Sequence, residues 1–574
     1  MNANVGTVED VAGIPDSGKH PKGLYALFAT EMWERFSFYS MLALFTLYLR
    51  DPAEGFGWTA SQATSLYANY LMFVYASPLI GGLIADKITG YRKAVMIGGF
   101  FFMAGHGLLS IPALWAVYLA LTCLVIGNGF FKPNVSTMVG NLYPEGSHLK
   151  DRAYNIFYMG INIGAWLAPI VMEIVRAYFG FHVAFAVAAF GMVISVTILW
   201  KSKNLLAAAD RKGKALVIGE HVIEDSSSKT VPDSDQVADT AATAVDAPPH
   251  GVSHQEEAHA AHARGKSALM DAVPDWKRIM ALIVIFLIVI VFWMVFHQNG
   301  STLTYWADDN TAWNVTGTIS NSINPFWIIV LTFPLVWFWG FLDKRGKEPS
   351  TPTKMAIGMT LTGLSFFVLY FGAIQGESMK PTPEQFAAGS FRINERVVKN
   401  LAADGVPQDV LDKLMAAKDK DDKNVVNDVK FSHKEDEKTK VKTTGEQNLI
   451  AAIDSVAPGE GAKHKDKFLA RAYIFQVSAF WLILAYAIIS LGELMLSPMG
   501  LSLVSKVAPI RMRGLMMGGW FVATAIGNKL TMIGIYWSIW YQSKFFIVLG
   551  LMALVMAVVL FLLLKPLKKA MPGV

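Results

Sequence analysis

Several ionisable side chains stand inside stretches that are otherwise apolar. Glu31, Glu34 and Arg35 share one such stretch, Lys132 lies in a second just before Pro133 and Asn134, His297 in a third and Glu493 in a fourth. A charge placed at the middle of a bilayer costs about 2.5–3.5 kcal/mol or more, so it survives there when it pairs, faces water or serves a transport path. The residue types suggest what that path carries. Carboxylates and imidazole take up and release protons, a guanidinium grips a carboxylate through two parallel hydrogen bonds, and an ammonium acts as a point charge. Glu31 precedes Glu34 by three residues and Arg35 by four, so one helix flank can hold all three together.

The elements that would carry these groups are membrane helices. The chain has 574 residues, 53% hydrophobic and only 17% charged, with a mean hydropathy of +0.37. A soluble chain carries roughly 25% charged residues. Runs such as Met280–Phe296 and Phe545–Leu564 are long enough to cross a hydrocarbon core of about 30 Å at about 1.5 Å per residue, and they lack the alternation of barrel strands. Apolar runs predict twelve spans near 24–49, 62–85, 94–112, 115–138, 154–178, 183–200, 278–306, 317–340, 354–374, 472–503, 514–536 and 543–564. The fold class expected is therefore an all-α membrane protein of twelve transmembrane helices in two six-helix halves. The polar first 20 residues read as no removable signal peptide.

Basic residues gather in alternate short loops: Lys87, Arg92 and Lys93; Lys150 and Arg152; Lys344, Arg345 and Lys347; Lys506, Arg511 and Arg513. The opposite loops carry Asp51 and Glu54, or Asp308 and Asp309. The positive-inside bias puts both termini in the cytoplasm of a multi-pass cell-membrane protein. The expected layout is a cytoplasmic tail at 1–23, a first bundle at 24–200, a cytoplasmic linker at 201–277, a second bundle at 278–564 and a tail at 565–574. An extracytoplasmic insert at 375–471, dense in Lys, Asp and Glu, interrupts the second bundle. Within it, Gln408–Lys418 has the pattern of a short amphipathic helix.

Other classes fit less well. The net charge of +5 needs no nucleic acid, and the single Cys123 permits neither a disulfide nor a cysteine metal site within the chain. An enzyme would need a nucleophile and base or a metal cluster, and no convincing spacing occurs. His250, His254, His259 and His262 have ligand-like spacing, but their surroundings read as a compositional linker. No metal or cofactor is expected. The scattered charges form no repeated pore ring, which argues against a channel.

The motifs are more specific. Glu31-Met32-Trp33-Glu34-Arg35-Phe36-Ser37-Phe38-Tyr39 resembles the ExxERFxYY signature of the proton-dependent oligopeptide transporter (POT/PTR2) family of the major facilitator superfamily. Phe130-Phe131-Lys132-Pro133-Asn134, Phe157-Tyr158-Met159-Gly160-Ile161-Asn162-Ile163-Gly164, Ile323-Asn324-Pro325, Pro349-Ser350-Thr351-Pro352-Thr353-Lys354 and Gly492-Glu493-Leu494 also resemble it, in order. Gly81-Gly82-Leu83-Ile84-Ala85-Asp86-Lys87 resembles the superfamily's loop pattern.

The resemblance implies the major facilitator fold and a symporter that imports di- and tripeptides with protons by alternating access across the lipid bilayer. It implies that Arg35 and Lys132 meet a peptide carboxylate and that Glu493, with Asn162 and Asn324, meets its amino group. Tyr39 and Tyr75 would line the pocket, and Trp293 and Trp520 would wall it. Glu31, Glu34, Arg35, Lys132 and His297 would couple protons, a protonated carboxylate releasing its base to the substrate. Three positions depart from the family. Leu42 stands where a second arginine is common, Phe38 where a tyrosine is usual, and His297 where relatives often have an acid. The alternative is a transporter of another small solute, such as nitrate, an amino acid or a peptide-like metabolite. An acidic partner opposite two bases favours a zwitterion over a simple anion.

Overall fold

The computed structural model describes residues 20–143, 149–210, 273–313, 315–435, 441–509 and 512–572. The four linker histidines, His250, His254, His259 and His262, lie outside the described residues. Among the described residues, eleven long helices make up the body: α1 (Lys22–Arg50), α2 (Ala60–Ile84), α3 (Tyr91–Leu108), α4 (Leu114–Asn141), α5 (Leu149–Lys201), α6 (Asp275–Phe296), α7 (Ser320–Asp343), α8 (Thr351–Glu377), α9 (Ala479–Val507), α10 (Arg513–Leu530) and α11 (Gln542–Ala570). Gly180, at φ 81° and ψ 178°, breaks α5 into two limbs. That backbone region is open to glycine and closed to most side chains.

Among the described residues, eight helices are long and apolar enough to cross a membrane. Helices α1, α3 and α10 fall outside that count, and α5 enters it once despite its bend. For α1 the reason is its own chemistry, because Glu31, Glu34 and Arg35 interrupt the apolar run. The apolar run expected at 278–306 is not one helix. After α6 the chain makes a 3₁₀ turn at His297–Gly300 and resumes as a short helix at Thr302–Asp309. Gly300 at this break abuts the Tyr67 hydroxyl, leaving no room for a side chain.

Two hydrophobic cores form, one drawn from residues between Leu24 and Ala209 and the other from residues between Ala281 and Met571, joined by Ala60. Helix contacts inside each core depend on small residues. A Cβ on Gly81 of α2 would lie 1.9 Å from the Gly129 carbonyl of α4. Pro133 lacks the N–H that would bond that carbonyl within the helix, so α2 packs where α4 has an unused acceptor. Gly358 of α8 and Gly492 of α9 meet in the same way, each Cβ falling 2.7 Å from the other's carbonyl.

A third core, from Phe391 to Ala472, lies in the insert between α8 and α9. Its helices include Glu395–Ala403, Gln408–Ala416 and Gly445–Val456. Asn394 and Thr444 cap the first and last of these, the latter in a reciprocal capping box with Gln447.

Candidate functional site

Helix α1 carries the densest cluster. Glu31, Glu34 and Arg35 are at most 3% exposed. Arg35 donates from Nε to Glu34 Oε2 at 2.5 Å and from Nη2 to Glu34 Oε1 at 2.6 Å. Its Nε also lies 3.4 Å from Glu31 Oε1. Asn128 of α4 steadies the same guanidinium, its Oδ1 3.5 Å from Nη2 while its amide donates to the Val74 carbonyl at 2.7 Å. The Phe38 ring sits 4.7 Å from the guanidinium carbon, so the phenylalanine offers a π face where the family commonly has a hydroxyl. Glu31 Oε2 is buried and has no hydrogen-bond partner among the described residues.

Lys132 is placed differently. It feels the charges of Arg35, Glu31 and Glu34, yet among the described residues its ammonium has no hydrogen-bonded or ion-paired partner. It lies instead 4.7 Å from the centre of the Tyr75 ring. Tyr75 in turn contacts His297 at a ring separation of 5.6 Å, and His297 stacks on Trp293 at 5.1 Å. The first half's lysine thus reaches the broken end of α6 through a tyrosine. Thermodynamically this is the most available cation of the site, since no carboxylate must be displaced from it.

Glu493 is organised by the second half. Asn324 of α7 donates one amide to both Glu493 Oε2 at 3.0 Å and Ser490 Oγ at 2.9 Å. Tyr39, Tyr75 and Tyr158 of the first half all lie within electrostatic range of Glu493. Tyr39, Tyr75, Lys132, His297 and Glu493 are each partly exposed. The arrangement places two bases, accompanied by Glu31 and Glu34, on the first half and Glu493 on the second.

Among the described residues, neither Asn162 nor Trp520 bonds Arg35, Lys132 or Glu493 directly. Asn162 donates to the Tyr158 carbonyl one turn back on its own helix at 3.0 Å. Trp520 packs edge-on to Phe286 at 6.2 Å and lies over Gly500. The structure also adds residues that sequence reasoning missed. Asn128 and Ser490 are uncharged and give no signal in composition. Lys529 of α10 bonds Asn69 of α2 across the halves, and an ionisable group inside an apolar run was a legible signal. Further bonds between the halves run from Thr46 to the Gly300 carbonyl at 3.1 Å, between Thr64 and Tyr305 hydroxyls at 3.3 Å, and from Thr316 to Glu173. All three pairs lie toward the end of the bundle that bears the insert.

Charged poles carried on separate helices of two packed halves define a helical membrane transporter. Residues 92–401 and 449–544 match the family described as PTR2, the POT family; the chain belongs to that family. The stretch between the two matched regions falls inside the insert. The chain is 27% identical to an uncharacterised transporter, YclF, of Bacillus subtilis over all of both chains. It is 24% identical to a di-/tripeptide transporter of Lactococcus lactis, covering 96% of this chain and 97% of the relative. A crystal structure of the peptide transporter POT in complex with alafosfalin, a variant form, superposes with a TM-score of 0.67 at 25% identity, covering 98% of this chain and 99% of that one. The fold is thus the helical major facilitator fold of these transporters.

Proposed function

We propose that this protein is a proton-coupled symporter that imports di- and tripeptides by alternating access. The single observation that carries the reading is the presence of two oppositely charged groups on the two halves: Lys132 beside Tyr75, with no hydrogen-bonded or ion-paired partner among the described residues, and Glu493, bonded by Asn324, which Ser490 in turn engages. A zwitterion fits both poles, its carboxylate at Lys132 and its ammonium at Glu493. Relatives across the full length being named di-/tripeptide transporters supports the substrate class.

In this reading Arg35 is the coupling base. Protonation of Glu31 or Glu34 loosens the hold on Arg35 and lets its guanidinium join Lys132 on the carboxylate. Leu42 leaves the pocket without a second guanidinium, so Lys132 bears more of the recognition than a doubly arginine-lined site would demand. Tyr39, Tyr75, Asn162, Trp293 and Trp520 line the route, and His297 supplies a further proton acceptor beside Trp293. The halves are 24–200 and 278–564, the linker and both termini are cytoplasmic, the insert is extracytoplasmic and the bilayer is the cell membrane. Basic loop residues such as Lys87, Arg92, Lys93, Lys344 and Arg345 support that orientation. No metal or cofactor enters the cycle, which the proton gradient drives.

Purified protein in proteoliposomes should accumulate di-alanine when an inward proton gradient is imposed and only equilibrate it without one. Accumulation of nitrate or single amino acids in place of di-alanine would select the other-solute reading.

A further inference from the structure

The insert makes two unlike sets of contacts. Toward the second half it is anchored by covalent continuity and by charge. Arg392 grips Asp309 through Nη1 at 2.5 Å and Nη2 at 3.2 Å, and Lys430 lies 3.1 Å from both Asp308 and Asp309. Arg396 donates to the Trp540 carbonyl at 3.1 Å and to Gln542 at 2.6 Å. The strand at Thr311 pairs with the one at Val477, where the insert rejoins the bundle.

Toward the first half, the insert's hydrogen bonds among the described residues fall on the end of α1, the start of α2 and the loop between them. Asp428 lies with both oxygens 3.5 Å from Arg50 Nη2, and it accepts the Ala60 N–H at the start of α2 at 2.5 Å. Asn424 donates to the Gly57 carbonyl at 2.8 Å and Lys423 to the Pro52 carbonyl at 2.9 Å. Asp428 has φ 61°, a left-handed conformation uncommon for a side-chain-bearing residue. Its N–H is tied to the Ile393 carbonyl at 2.7 Å, which aims the carboxylate at Arg50. Asp428 and Arg50 are both buried, 2% and 8% exposed at their side chains. Buried opposite charges attract strongly while paired and are costly to part.

From this asymmetry we propose that the insert is a strap which travels with the second half and clasps the Arg50–Ala60 loop of the first, holding the molecule closed at the insert end. Opening that end for substrate entry requires Asp428 to leave Arg50 and the α2 N-terminus, while the Arg392–Asp309 grip persists. Clasp strength then sets the balance between the two access states. This rests on the alternating-access reading above.

The test uses the full chain in lipid nanodiscs without peptide, with Cys123 replaced by Ser and spin labels at Ile111→Cys and Ile539→Cys, both outside the insert. Label distances report opening whether or not any peptide is transported, so failure of the strap and failure of the substrate reading are separate results. Asp428→Asn keeps the shape and an acceptor for Ala60 while removing the charge; the long-distance population should rise at least threefold. Lys423→Met, which removes an ammonium bonded to the Pro52 and Ala53 carbonyls of the first half, should raise it less. A Cβ at Gly57, where φ is 59°, would lie 3.1 Å from Lys423 Cβ, shorter than the usual disulfide range of about 3.5–4.5 Å, so the bridge needs the two backbones to part slightly. In an otherwise unsubstituted, label-bearing chain, a Gly57→Cys, Lys423→Cys bridge read with bioorthogonal labels at the same two positions should abolish the long distance until reductant restores it. Unchanged distances in Asp428→Asn, or full opening with the bridge closed, overturns the proposal.

Discussion

Arg35 holds both oxygens of its sequence neighbour Glu34, at 2.5 and 2.6 Å, and keeps only a longer 3.4 Å contact to Glu31. The two carboxylates therefore have unequal standing. Glu34 is committed to a bidentate pair, whereas Glu31 has an oxygen without a partner among the described residues that can accept a proton and so withdraw the Glu31 charge from Arg35.

Glu31→Gln should for this reason separate coupling from carriage. Gradient-driven accumulation of di-alanine is expected to fall at least about tenfold, while counterflow exchange of labelled against unlabelled peptide continues at near the original rate. Concentrative uptake at the original level in this variant removes Glu31 from the coupling step.

Among the described residues Lys132 has no carboxylate partner to leave, so its loss should appear mainly as lost binding. Lys132→Gln should raise the half-saturating di-alanine concentration by about 10- to 100-fold, the range of a charge-assisted hydrogen bond. Competition assays in detergent measure this without a gradient. Lys132→Arg should restore part of the affinity.

Glu493→Gln removes a negative charge but leaves Asn324 with an acceptor. Affinity for di-alanine should drop by about tenfold or more. N-acetyl-di-alanine has no ammonium, and its weaker binding should be nearly the same in both proteins. An equal loss for both ligands would mean that Glu493 acts on structure and not on the amino group.

Gly81 and Gly82 make a matched pair for helix packing. A Cβ at Gly81 would lie 1.9 Å from the Gly129 carbonyl, but one at Gly82 only 3.8 Å from Pro133 Cβ. Gly81→Ala must push α2 off α4 and should lower stability by about 1–3 kcal/mol or more, read as a lower melting temperature in detergent. Gly82→Ala should melt with the parent.

The strap has its own acid sensitivity. Arg471 donates to Asp404 at 2.7 and 2.9 Å, and this hydrogen bonding, offset in part by desolvation, holds the Asp404 carboxyl below the ordinary aspartate range. A depressed carboxyl stabilises the folded insert above its unfolded pKa of about 3.9 and loses that contribution as pH falls through the folded value. Arg471→Gln should therefore speed amide exchange across 395–404 at neutral pH, with the difference fading below about pH 4.

Much of the candidate site was legible before any coordinates. Glu31, Arg35, Lys132 and Glu493 stand out because an ionisable group in an apolar run is conspicuous whatever it touches. Lys529 obeyed the same rule and was passed over. Asn128 and Ser490 carry no such mark, being ordinary polar residues whose importance comes from their partners, the Arg35 guanidinium for one and the Asn324 amide that bonds Glu493 for the other.

The sequence by itself determined that the chain is a helical membrane protein, which residues break its apolar runs, and, through ordered motifs, its family resemblance. These are local properties, readable from run length and residue type. Only the tertiary structure decided that Arg35 grips Glu34 in preference to Glu31, that Lys132 rests on Tyr75, and that α6 stops at His297. It alone brought Asp428 to Arg50, 378 residues away. Such choices depend on how closely separate helices approach, which contacts like Gly81 against Gly129 and Gly358 against Gly492 set, and no spacing along one segment encodes that distance.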